Sequence, residues 1–89
     1  MNEFTDKLVL ITGGSRGIGK GIAIEFAKNG ANIIINYFRN HKSALETQSM
    51  IEGLGVSCFA IKAHLGEVDK ISRMFEEIKT KHGHLDIII

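Results

Sequence analysis

Proline is absent from this 89-residue chain, and cysteine occurs once. Without proline there is no proline-rich linker or polyproline segment, and neither a repeat nor a low-complexity tract divides the chain. The single cysteine, Cys58, leaves no internal disulfide; it lies within an apolar run and reads as a small buried hydrophobe of a reducing compartment. An excess of charge of one sign is missing too. Eleven Lys and Arg face ten Asp and Glu, for a formal net charge of +1, with the two signs interspersed, so neither nucleic acid nor an anionic membrane surface is expected as a partner. No apolar run approaches the roughly 20 residues of a membrane-spanning helix. Residues 1–4 lack the basic and apolar regions of a secretory leader. A cytoplasmic location is the expectation that remains. With 44% hydrophobic and 24% charged residues the chain is globular rather than disordered, and its length allows at most one small domain.

What is present is concentrated in residues 8–21. Leu8-Val9-Leu10-Ile11 is an apolar run, and Thr12 leads from it into Gly13, Gly14, Ser15, Arg16, Gly17, Ile18 and Gly19. An amphipathic helix pattern follows at once, with Ile18, Ile22, Ala23, Phe26 and Ala27 on its apolar side. Strand, glycine turn and helix in that order set a phosphate at a helix N-terminus. In the spacing Gly13-x-x-x-Gly17-x-Gly19 the first glycine allows the tight exit from the strand. The second lets the backbone approach a pyrophosphate, and the third lets the helix pack closely on the strand. The free N–H groups of residues 16–19 are the expected phosphate donors. The plainer alternative is a turn that merely tightens the junction.

Along the chain, strands are expected over 7–12, 31–37 and 56–61, with a fourth starting at 85. Helices are expected from the glycine turn to about Asn29, over 43–54 (Ala44, Leu45, Gln48, Ile51 and Leu54 inward) and over 68–81 (Val68, Ile71, Met74, Phe75 and Ile78 inward). Gly30, the Gly53–Gly55 pair and Gly83 mark the helix ends. Residues 38–42 and 63–67 read as loops. The order βαβαβαβ with continuous aliphatic strands argues an α/β fold with a parallel sheet and right-handed crossovers.

A P-loop is the rival for the glycine turn, since Gly14 to Lys20 nearly satisfies G-x-x-x-x-G-K-[ST]. Gly21 stands where the magnesium-binding hydroxyl belongs, and no aspartate ends the second or third strand. For a dinucleotide, NAD sites carry an acid at the end of the second strand. Here Asn36, Tyr37 and Phe38 occupy that region and Arg39 follows. Arg39 and Arg16, two guanidinium groups near the adenosine ribose, suit a 2′-phosphate, so NADP(H) is preferred over NAD(H). Arg39 also has a plain reading as a solvated loop cation. His41, His82 and His84 have no metal or nucleophile spacing and read as solvated. No metal ligand is expected.

With Thr12-Gly13-Gly14-Ser15-Arg16-Gly17-Ile18-Gly19 in hand, the chain resembles the short-chain dehydrogenases/reductases, whose signature is T-G-x-x-x-G-I-G. The likeness continues through Ile35-Asn36-Tyr37, Leu54-Gly55-Val56 and Leu85-Asp86-Ile87. It implies a Rossmann fold, with strand order 3-2-1-4 and helices on both faces, of which residues 1–89 would be the dinucleotide-binding part as far as the fourth strand. Within that family Ile35-Asn36-Tyr37, Ala44-Leu45-Glu46-Thr47 and Lys62-Ala63-His64-Leu65-Gly66 are similar to bacterial acyl-carrier-protein reductases, the type III enoyl enzymes more than the 3-oxoacyl ones. That similarity implies NADPH-dependent reduction of an acyl thioester in fatty acid biosynthesis.

The resemblance also implies adenine contacts at His64 and Leu65, where the family commonly has Asp-Val. It puts the family's catalytic Ser and Tyr-x-x-x-Lys later than Ile89. No catalytic residue is therefore expected here, and Tyr37, the only tyrosine, is a cofactor-side position rather than a proton donor. Two other classes stay open: an inert remnant, or a small binding module that pairs with a partner through its fourth strand. Self-association is expected through that strand and the sheet face beside the third helix.

Overall fold

The computed structural model describes residues 3–89; the leader reading at residues 1–4 thus falls partly on Met1 and Asn2, outside the described residues. The elements are β1 (Leu8–Thr12), α1 (Gly17–Lys28), β2 (Asn32–Tyr37), α2 (His41–Glu52), β3 (Cys58–Lys62), α3 (Val68–His82) and β4 (Ile87–Ile88). All pairings are parallel and the sheet order is β3-β2-β1-β4, as expected.

β1 and β2 are the inner strands, with helices over both faces. That is why Val9-Leu10-Ile11 and Ile33-Ile34-Ile35 are uninterrupted aliphatic runs and fully buried. Alternation sends Val9, Ile11, Ile33 and Ile35 to one face, where Ala23 and Ala27 of α1 and Ala44 and Ile51 of α2 close on them. Leu8, Leu10 and Ile34 point the other way, against Met74 and Ile78 of α3. Cys58 is buried in the first cluster. Burial, with the Glu52 charge as a smaller contribution, pushes its thiol up to about 12, so it stays protonated and packs as a hydrophobe.

Several expectations shift. α2 begins at His41 rather than 43, its first turn closed by the Ala44 N–H donating to the Asn40 carbonyl. Leu45 and Leu54 are exposed, and Thr47, at i+3 from Ala44 and i−4 from Ile51, takes the inward position. Thr47 can do so because its hydroxyl finds a buried acceptor. β3 runs two residues later at its start and one later at its end. On α3, Met74 and Ile78 are buried, but Val68 is 79% and Phe75 37% exposed, so the apolar stripe is wider than the sheet face beneath it. Ile18, expected on the inward side of α1, is 84% exposed because it sits in the first turn, beyond the end of the sheet.

β4 is short but well tied. The Asp86 N–H donates to the Leu8 carbonyl at 3.0 Å, the Leu8 N–H donates to the Asp86 carboxylate at 2.8 Å, and the Thr12 hydroxyl donates to the Ile89 carbonyl at 2.9 Å. No helix among the described residues is long and apolar enough to cross a membrane.

Candidate functional site

The C-terminal ends of β1, β2 and β3 lie side by side, since Thr12 pairs with Asn36 and Tyr37 with Lys62. The glycine turn leaves β1 at this edge. Gly13 and Gly17 both adopt φ +63°, a conformation that costs an L side chain about 1–2 kcal/mol. The surroundings separate the four glycines. A Cβ on Gly19 would collide with the Gly13 carbonyl oxygen, and one on Gly14 would stand 2.8 Å from the Ile35 Cγ2 atom and 3.2 Å from the Ile11 Cβ. Gly13 and Gly17 instead face open space, with no atom within 4 Å. Gly14 and Gly19 are therefore packing glycines, and Gly17 keeps a surface bare.

α1 starts beneath that bare surface. Its N-cap residue, Arg16, is extended at φ −159° and ψ 173°, and no side chain caps the helix. The N–H groups of Gly17, Ile18 and Gly19 have no carbonyl one turn earlier in the helix, and the positive end of the helix dipole coincides with them. The arrangement can receive an anionic group. Ser15 is buried beside it, and its carbonyl accepts the Thr47 hydroxyl at 2.7 Å, which fastens the turn to α2.

Asn36 joins this turn to the neighbouring loop. Its carbonyl accepts the Gly14 N–H at 3.3 Å, and its buried side-chain amide donates to the Ala63 carbonyl at 3.1 Å. Just beyond, Phe38, Arg39 and His64 form a ledge. The Phe38 and His64 rings meet edge to face with centroids 4.4 Å apart, and the Arg39 guanidinium carbon lies 5.8 Å from the Phe38 centroid. The Gly66 N–H donates to His64 Nδ1 at 3.0 Å, which leaves Nε2 to carry the proton of the neutral ring. Leu65 is exposed beside it.

Gly17, Ile18, Gly19 and Arg16 are thus together at the start of α1, and Arg39, His64 and Leu65 together at the β2 and β3 ends. Tyr37 is different. Its ring is 8% exposed and belongs to the core, and its hydroxyl is 2.6 Å from His41 Nδ1, so only its backbone borders the site. His41 is therefore engaged, and His82 packs against Phe59 with centroids 4.6 Å apart; neither is merely solvated. Sequence reasoning passed over Thr47 and the linking role of Asn36. For Thr47 a signal existed, a hydroxyl in the apolar stripe of a helix; for Asn36, a lone polar residue at the end of a strand buried on both faces. Among the described residues no group of three His, Cys, Asp or Glu could hold a metal.

A parallel βαβ unit whose glycine turn opens onto an uncapped helix start, with a cationic and aromatic ledge one strand over, is the arrangement of a Rossmann-like α/β protein. The chain belongs to the short chain dehydrogenase family, whose pattern matches residues 7–89. It is 46% identical to the hydroxynaphthalene reductase-like protein Arp2 of Metarhizium robertsii over 87 residues, covering 98% of this chain and 33% of that protein. It is 42% identical to versicolorin reductase 1 of Dothistroma septosporum over 82 residues, covering 92% of this chain and 31% of the relative. A short chain dehydrogenase from Burkholderia cenocepacia, solved in complex with NADP, matches with a TM-score of 0.92 and 34% identity over 98% of this chain and 36% of that one. The chain spans about a third of the length of the curated relatives it matches.

Proposed function

We propose that these residues hold the adenosine diphosphate half of NADP(H) for a short-chain dehydrogenase that reduces an organic substrate. The observation that carries the reading is Gly17, at positive φ and bare of neighbours above a helix start that no side chain caps. In this reading the amides of Gly17, Ile18 and Gly19 donate to the diphosphate, with Gly13 and Ser15 shaping the turn and the exposed Ile18 side chain covering the bound group. Arg16 and Arg39 face the 2′-phosphate, and Phe38, His64 and Leu65 wall the adenine. Arg39 follows β2 where NAD sites keep an acid, which favours the phosphorylated cofactor. When bound, the nicotinamide supplies hydride; the residues of this chain bind and orient, and none is given a catalytic role.

For the substrate, the residues that suggested an acyl thioester speak weakly. Ile35, Asn36, Tyr37 and Ala44 are buried and report on packing rather than on substrate. The relatives described above are named for hydroxynaphthalene and versicolorin, not for acyl carrier protein. A hydroxylated fused-ring aromatic is accordingly our preferred substrate class, with the acyl thioester second. The same reading includes a cytoplasmic location, suggested by the single buried thiol. It also includes self-association through β4, where Ile88 and the following Ile89 are exposed; sedimentation that finds a strict monomer at high concentration would remove that part.

Calorimetric titration tests the proposal. NADP⁺ is expected to bind more tightly than NAD⁺, and Arg39→Ala to weaken NADP⁺ by about tenfold, the effect of one charge-assisted contact, while leaving NAD⁺ nearly unchanged. Equal affinities for both cofactors in the unaltered chain would sink the 2′-phosphate assignment.

A further inference from the structure

The side chains of the ledge at the β2 and β3 ends offer hydrogen-bond donors only. Phe38 and Leu65 have no polar group, and the Arg39 guanidinium cannot accept. His64 is held by the Gly66 N–H, which donates to Nδ1 at 3.0 Å. An accepting Nδ1 bears no proton, so in the neutral ring Nε2 is a donor. Gly66 makes this contact possible: a Cβ there would stand 2.5 Å from His64 Cε1 and 3.0 Å from Nδ1. Among the described residues no partner takes Nε2, and no side-chain nitrogen is buried without one. The Nε2–H therefore opens to solvent on the same side as the exposed Phe38 and Leu65.

The carbonyls that edge the ledge are engaged. That of Ala63 accepts the Asn36 side-chain amide at 3.1 Å, and that of His64 accepts the Glu67 N–H at 3.2 Å. Glu67, the acid nearest in sequence, is exposed at the start of α3, and its side chain makes no cap there.

We infer that His64 sets the base preference of this chain, and sets it against the usual sense: a dinucleotide phosphate carrying a 6-oxopurine binds at least as tightly as one carrying adenine. The inference rests on the reading above that Phe38, His64 and Leu65 wall the base. Adenine presents a 6-amino donor and hypoxanthine a 6-carbonyl acceptor. Two donors brought face to face leave both unpaired, whereas an N–H facing a carbonyl makes a bond. A carboxylate, which the family commonly has at this position, can only accept and favours the amino group. Adenine ring nitrogens can still accept from Nε2–H, so adenine is tolerated rather than refused.

Calorimetric titration of the 89-residue chain with NADP⁺ and with nicotinamide hypoxanthine dinucleotide phosphate tests this. The hypoxanthine form is expected to bind at least as tightly. His64→Asp, at a half-buried loop position, exchanges the donor for an acceptor. It should move the ratio of the two affinities toward adenine by about fivefold, the effect of one hydrogen bond. Any loss caused by the added negative charge falls on both ligands and cancels in that ratio. Nitrogen chemical shifts of the neutral His64 ring give a reading that needs no ligand: a bare Nδ1 and a protonated Nε2 are expected. Tighter binding of NADP⁺ than of the hypoxanthine form by the unaltered chain, a ratio that His64→Asp leaves unchanged, or a protonated Nδ1 in the neutral ring would overturn the inference and leave the dinucleotide reading standing. Binding of neither ligand would remove both.

Discussion

The two faces of the sheet are built unequally. On the α1/α2 face, small residues of two helices (Ala23, Ala27, Ala44) let the helix backbones approach Val9, Ile11, Ile33 and Ile35, and everything between is buried. On the α3 face one helix covers Leu8, Leu10 and Ile34 through Met74 and Ile78, and the flanking Val68 and Phe75 stay exposed. The closed face is also the one that positions the site. Ile35 packs beneath Gly14, Thr47 ties Ser15 to α2, and α1 begins at the turn itself. Rigidity at the glycine turn is therefore inherited from the denser half of the molecule, whereas the α3 side supplies the His64 loop and leaves apolar surface open.

The largest expected effect tests that inequality. Ile35→Ala should cost about 2–5 kcal/mol in denaturant unfolding, as buried truncations do, and Phe75→Ala less, since 37% of its surface is already in water. Equal costs would erase the distinction between the faces. Next comes Thr47→Val, which leaves the buried Ser15 carbonyl without its donor and should cost about 1–3 kcal/mol; cofactor affinity should fall with it, because the turn is loosened. Gly14→Ala and Gly17→Ala then sharpen the contrast within the turn. The first forces a Cβ against Ile35 in the core and should destabilise by about 1–3 kcal/mol. The second carries only the positive-φ strain of about 1–2 kcal/mol, yet it should reduce NADP⁺ binding more than its stability change explains.

The smallest effect concerns Cys58 on the closed face. Its thiol is pushed from 9.0 to about 12, so the folded state holds the proton more tightly than the unfolded chain. The associated stability is fully present below pH 9.0 and is lost as pH rises towards about 12. Alkylation at neutral pH should spare the native thiol and label it on unfolding.

Features with local causes were legible beforehand. The parallel sheet followed from alternating elements and continuous aliphatic runs, its strand order from the family resemblance, and the glycine spacing announced the turn. The apolar period of α3 marked that helix to within one residue of its end. What escaped depended on distant partners. Leu45 and Leu54 looked inward by period, but the inward slot belonged to Thr47, whose acceptor lies 32 residues away. Tyr37 looked like a cofactor residue by position, but alternation along β2 turned its ring into the core. Gly14 was one glycine among four until its Cβ position could be set against Ile35. His64 gained its orientation from Gly66 and Phe38, contacts that no pattern in the sequence announces.

The central claim is that uncapped amides at the start of α1 grip a diphosphate, and amide chemical-shift mapping during NADP⁺ titration tests it most directly. The account predicts saturable shifts that are largest at Gly17, Ile18 and Gly19, with smaller ones at Arg39 and His64. Saturable binding that leaves those three amides unmoved, or no binding to them at any accessible concentration, would contradict it.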